Sequence, residues 1–198
     1  MADVILGGQD GLVNVLGLTM GVASAGAQAQ LVVVAGLAGM MAESISMGAV
    51  AYTSTKAAMD YETMRADEAG MGRAEVEKTI KTLQKRLPKE KIAFVRSRLL
   101  MHYDDEAGAT KPVSKAVSVG LATLAGSMVP LVPYFVLQPS QAIPASIILS
   151  GAVLFGTGAL KAKWTVGDWK RSGLEILIVG GLATAAGYVL GIMLHTPV

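Results

Sequence analysis

Five stretches of the chain, residues 11–29, 31–53, 113–137, 142–160 and 173–194, are predominantly apolar and all but free of Lys and Arg. A helix needs about 20 such residues to cross the hydrocarbon of a bilayer, so each stretch predicts a spanning helix. Residues 25–30 join the first two into a tight hairpin, and Pro139 and Pro144 bracket the turn expected between the third and fourth. The segment between the second and third stretches is different. Apolar Val76, Ile80, Leu83 and Leu87 recur there at helical spacing, and Ile92, Val95, Leu99 and Tyr103 repeat the pattern beyond Pro88, which breaks the run. Gly70 and Gly72 mark an earlier break, so two or three short helices are expected. The pattern predicts an all-α integral membrane protein with transmembrane helices 1 and 2 in residues 1–53, a helical insert in 54–112, and transmembrane helices 3–5 in 113–198.

Composition agrees with lipid as the solvent. Of 198 residues, 52% are hydrophobic, more apolar surface than a soluble domain of this length buries. The 17 Lys and Arg are segregated: 13 fall in residues 52–115 and the other four, Lys161, Lys163, Lys170 and Arg171, in 161–171. These are alternate loops and share one side of the membrane. The connections near 26–30 and 138–141 carry no basic residue, so positive-inside bias predicts a cytoplasmic N-terminus and a cytoplasmic insert. The start MADVILGGQDG lacks the basic region and small-residue cleavage motif of a secretory signal. The overall charge of +2 says little about partners, and nucleic acid is not expected among them. Cysteine is absent, which excludes disulfides, iron–sulfur clusters and thiolate zinc sites. Any metal must be held by oxygen, imidazole or thioether donors.

Glu43 lies about 12 residues into the second apolar stretch. An ionised carboxylate there costs about 2.5–3.5 kcal/mol on insertion scales, which makes it a functional candidate by default. The simpler reading is a Glu that is protonated or bonded to Ser44 or Ser46. Met47 follows at i+4 on the same helical face, so a hard and a soft ligand are stacked one turn apart, a pairing suited to a transition metal. Asp10 opens the first span in Gly-Gly-Gln-Asp-Gly, and its sequence supports helix N-capping and a place on an ion path equally. Asp168 and Glu175 read as capping or pairing with Lys170 and Arg171, and His195 as an interface residue.

In the insert, acids alternate with methionines: Met59, Asp60, Glu62, Met64, Asp67, Glu68 and Met71, then Met101, His102, Asp104, Asp105 and Glu106. Brought together, these oxygen donors with Met101 and His102 would hold divalent ions; taken singly, each is a solvated surface charge. A Gly-rich phosphate loop followed by Lys-Ser/Thr, a His-Glu-x-x-His pair and a Gly-x-Ser-x-Gly elbow are all missing from the sequence, so neither ATP-driven pumping nor a familiar membrane hydrolase has support.

Three stretches carry a family resemblance. Asp10-Gly11-Leu12-Val13-Asn14-Val15-Leu16-Gly17-Leu18 looks like the first-helix signature of the vacuolar iron transporters and their bacterial relatives. Ala38-Gly39-Met40-Met41-Ala42-Glu43-Ser44-Ile45-Ser46-Met47-Gly48 resembles the second signature, and Val129-Pro130-Leu131-Val132-Pro133-Tyr134-Phe135 the proline-containing third. The resemblance implies a homodimer that exports Fe2+, often also Mn2+, from the cytosol in exchange for protons, in an organellar or bacterial inner membrane, with no prosthetic group and no enzymatic step. It places Asp10, Glu43 and Met47 on the path, and Glu62, Glu68, Met101, Asp105 and Glu106 as metal ligands of the insert. The chain departs from the family at Ala51, where many members carry Glu two turns beyond the Glu43 position, and at Ala58, a commonly acidic position. A membrane metal sensor that recruits a partner is the competing expectation, and a carboxylate in mid-bilayer speaks for the carrier.

Overall fold

The structure, a computed structural model, describes residues 2–68, 73–83, 92, 111–164 and 168–194; at Ala2, Glu62, Thr63, 65–68, 73–77, 163 and 164 it describes the backbone alone. Six helices are present among these residues: α1 Ala2–Ser24, α2 Ala29–Glu68, α3 Arg73–Leu83, α4 Pro112–Val136, α5 Pro139–Trp164 and α6 Trp169–Met193. The chain forms two compact units, residues 1–49 with 116–198, and residues 50–115.

Among the described residues four stretches are helical, long and apolar enough to cross a membrane: Ala29–Tyr61, Pro112–Val136, Pro139–Ala162 and Trp169–Met193. The sequence pattern predicts five. The remaining helix, α1, has 23 residues, which is length enough, but Asp3, Gln9, Asp10 and Asn14 dilute its apolar character. What surrounds α1 explains how it tolerates them. Leu12, Val15, Leu16 and Met20 are almost completely buried, so much of α1 meets protein instead of solvent or lipid. It packs on α6 and α5. Leu12, Leu16 and Met20 join Leu154 of α5 in one core cluster, while Val15 joins Met40 of α2 and Leu131 of α4 in another. A helix enclosed by its neighbours does not need an apolar exterior on every side.

Close approach of backbones holds this unit together, as expected where lipid supplies no hydrophobic drive between helices. A methyl group on Gly126 of α4 would collide with the carbonyl oxygen of Gly8 in α1, and one on Gly187 of α6 with that of Gly17. Polar side chains add bonds between helices. Gln9 Nε2 donates to Thr157 Oγ1 at 3.0 Å, and Ser146 Oγ donates to the Pro130 carbonyl at 2.8 Å.

Several sequence expectations are corrected. α1 ends at Ser24, with Gly26 in the left-handed region (φ 88°) turning the chain toward α2. The second span does not stop at residue 53; α2 continues for 40 residues, roughly 60 Å at 1.5 Å per residue, about twice the hydrocarbon thickness. Its charged C-terminal turns carry no helix breaker until Gly70, so the backbone ladder runs on past the apolar section. The turn between the third and fourth spans is at Leu137 and Gln138, with Pro139 the first residue of α5 and Pro144 inside it. Pro139, at the first position, removes an N–H that has no intrahelical acceptor; Pro144, in the second turn, forgoes the bond to the Ser140 carbonyl, and the helix continues across it.

In the unit of residues 50–115, α3 is amphipathic: Ile80 is buried while Lys78, Thr79, Lys81 and Thr82 are exposed. Ile92 is also buried. The remaining helical expectations of the insert, and Gly70, Gly72 and Pro88, lie outside the described residues.

Candidate functional site: an acid and amide cluster between the first two helices

The site is built on α1 and α2, whose hairpin sets the Asp10–Asn14 face of one against Glu43 of the other. Asp10 and Asn14 are four residues apart and share a face of α1. Asn14 Nδ2 donates to Glu43 Oε1 at 2.8 Å. Asp10 lies near the same carboxyl group, close enough for the two acids to interact. Met47 stands one turn beyond Glu43 and is half-buried. Glu43 falls near the midpoint of the Ala29–Tyr61 span.

The structure thus brings together two of the predicted path residues, Asp10 and Glu43, and keeps Met47 on the same face of α2. Asp10 is not a helix N-cap: it sits in the ninth position of α1, well inside the helix. Nor does Ser44 bind Glu43, because its hydroxyl donates to its own helix at Met40 O, 2.7 Å away. Asn14 is the participant that sequence reasoning left out. Its spacing of four from Asp10 was the available signal, but an isolated Asn in an apolar helix carries no charge to flag it.

Asn14 is exposed and Glu43 only half-buried, so the cluster opens onto the outside of the single chain. Two carboxyl groups this close repel unless a proton or a cation lies between them, and at mid-span depth neither is easily left to lipid. Among the described residues no three His, Cys, Asp or Glu side chains gather as a ready-made metal cage. Two acids, an amide and a thioether are instead a sparse, open donor set, which suits an ion in passage better than a resident one.

Of the predicted insert ligands, Glu62 and Glu68 are placed on the C-terminal part of α2, where the backbone alone is described, and Met101, Asp105 and Glu106 lie outside the described residues. At the α5–α6 connection Asp168 caps α6, accepting from Lys170 N at 3.0 Å, and Arg171 pairs with Glu175 at 3.2 Å on an exposed surface. Neither acid joins the cluster.

A multi-pass membrane protein, helical in its described elements, with acidic residues near one another in its first helix hairpin belongs to the class of membrane carriers and channels, in which intramembrane ionisable groups mark ion pathways. Residues 1–192 match the VIT family, and the chain belongs to that family. It is 29% identical to Protein CCC1 of Saccharomyces cerevisiae, over 95% of this chain and 67% of that protein. It is 29% identical to Vacuolar iron transporter 2 of Oryza sativa subsp. japonica, over 94% of this chain and 84% of the relative, and 28% identical to Vacuolar iron transporter 1 of Arabidopsis thaliana, over 95% and 83%.

Proposed function

We propose that this protein carries ferrous iron, and manganese by the same route, out of the cytosol in exchange for protons, along a path lined by Asp10, Glu43 and Met47 between two copies of the chain. The observation that carries the reading is Glu43, at the middle of a membrane-spanning helix, bonded to Asn14 of α1 with the second acid, Asp10, close beside it on the same face. A divalent cation needs charge compensation there, and two carboxylates supply it. When the ion leaves, protons offset the same repulsion, which couples the two movements in opposite directions. Iron as the cargo is supported by membership of the VIT family and by relatives named vacuolar iron transporters. Manganese follows from the donors, since oxygen-rich sets with one thioether accept both ions.

The dimer is supported by exposure. Asn14 and Glu43 open onto the surface of one chain at a depth where polar groups facing lipid are costly, and a second copy covers them. In this reading α1 also crosses the membrane, giving five spans. Gln9 is bonded to Thr157, Asn14 to Glu43, and 23 residues reach about 35 Å at 1.5 Å per residue. The basic connections then face the cytosol, with the N-terminus and the insert of residues 54–112, where Glu62, Glu68, Met101, Asp105 and Glu106 collect the ion before it enters. The host membrane is of vacuolar type or a bacterial inner membrane. No catalytic step and no resident cofactor enter this mechanism.

The test is uptake of Fe2+, Mn2+, Co2+ and Zn2+ into proteoliposomes with and without a pH gradient. Uptake of Fe2+ or Mn2+ driven by the gradient is the expected result. Absence of uptake of every ion by folded, inserted protein would overturn the proposal in favour of a metal-sensing role.

A further inference from the structure

We infer that Asn14 is a specificity-determining residue of this site: it adds a third oxygen donor without adding charge, and so keeps the path matched to a divalent ion. The inference rests on the metal-carrying role proposed for Asp10 and Glu43. Its starting point is a count along the chain. Between Asp3 and Lys56 the only charged residues are Asp10 and Glu43; between Lys115 and Lys161 there is none, and none between Glu175 and His195. The helices of the membrane zone therefore carry two negative charges close to each other and no basic residue to offset them.

In a path between two copies of the chain this acidic pair is present twice, so the acids match one divalent ion per chain. Loaded in that way the path is neutral, whereas monovalent ions leave one negative charge per chain and trivalent ions one positive charge. In a medium where an unpaired charge is expensive, that remainder discriminates by valence more strongly than donor geometry does. Every further donor must then be neutral. Met47 meets this requirement with a thioether. Asn14 meets it with an amide, and its geometry shows how. A carboxylate oxygen only accepts hydrogen bonds, so the 2.8 Å contact commits the Asn14 nitrogen to Glu43 Oε1 and turns the amide carbonyl into the remaining donor. Asp10, one turn earlier on the same face of α1, lies close to Glu43. The amide thus holds Glu43 against α1 and contributes oxygen beside both acids. An aspartate at this position has nearly the same shape but would bring the site to three negative charges.

The experiment compares wild type with Asn14→Asp, Asn14→Leu and Asn14→Gln, each purified as folded protein. Mn2+ binding is followed by the electron paramagnetic resonance of free Mn2+, counting only the component lost in Glu43→Gln, and displacement by La3+ is titrated. Asn14→Asp is expected to strengthen La3+ competition against Mn2+ at least about tenfold and to slow Mn2+ release, so that in proteoliposomes the maximal rate falls while KM does not rise. Asn14→Leu is expected to raise KM for Mn2+ about tenfold, and Asn14→Gln, which keeps a neutral amide, to leave the ratio of La3+ to Mn2+ affinity near that of wild type. An unchanged La3+ to Mn2+ ratio in Asn14→Asp, or an unchanged KM in Asn14→Leu, would overturn the inference. If Glu43-dependent binding follows the expected valence pattern but no ion is transported, the carrier reading falls and the role of Asn14 stands. Absence of Glu43-dependent Mn2+ binding in wild type removes both.

Discussion

Gln9 Nε2 and Thr157 Oγ1, 148 residues apart in the chain, meet at 3.0 Å between α1 and α5, and the Thr157 hydroxyl in turn donates to Leu154 O at 3.1 Å. The hydroxyl accepts from one helix and donates within its own, so it links the two as acceptor and donor at once. Gln9 is buried, and an amide that loses its acceptor there has no water to turn to.

Replacing Thr157 with Val removes that acceptor at almost constant volume. The protein should lose about 1–2 kcal/mol of stability, and a double-mutant cycle with Gln9→Leu should give a coupling of about 0.6 kcal/mol, the average for interhelical hydrogen bonds in membranes. Thermal or denaturant unfolding in detergent measures both. A coupling of zero would show that the two side chains act independently.

Glu43→Gln should abolish metal movement while the protein stays folded. A glutamine side-chain oxygen still accepts from Asn14, and a neutral amide is cheaper in lipid than a carboxylate, but it leaves the ion's charge uncompensated. Proteoliposome flux alongside the melting temperature checks both halves. Undiminished flux from a correctly inserted variant would remove Glu43 from the path.

The backbone crossing of α1 and α4 tolerates no side chain. Gly126→Ala sets a methyl group into the Gly8 carbonyl, a backbone atom that cannot rotate away, so the helices must separate. Overpacking of this kind costs about 1–3 kcal/mol. Gly156→Ala is the control, because a Cβ there meets nothing within 4 Å. Thermal unfolding should show Gly126→Ala clearly below wild type and Gly156→Ala near it.

For the insert, neutralising Glu62, Glu68 and Glu106 together should raise KM for the metal by more than it lowers the maximal rate. Ligands that gather the ion ahead of the path change how often the path is filled, not how fast a filled path turns over. Flux measured across a range of Fe2+ or Mn2+ concentrations separates the two, and a fall in maximal rate at constant KM would contradict this role.

The helical, membrane-embedded character of this chain was legible in its sequence because lipid imposes one simple demand, a long run without charges, and α2, α4, α5 and α6 meet it openly. Glu43 stood out for the same reason, as a charge in such a run. Local pattern was also enough for the cap at Asp168 and the Arg171–Glu175 pair, which depend on neighbours two to four residues away. What local pattern left open was settled by contacts between helices. The sequence supported capping and an ion path equally for Asp10; only the helix that begins eight residues earlier removes the capping role. Asn14 has no charge and became visible only when the hairpin set α1 against α2, since its partner lies 29 residues away. The polar residues of α1 weaken it as a membrane segment when it is read alone, yet packing buries its apolar face and gives Gln9 and Asn14 partners on other helices. Hydropathy is a property of residues along one helix, whereas the cost of a polar group depends on what lies beside it, and that is decided by the tertiary fold.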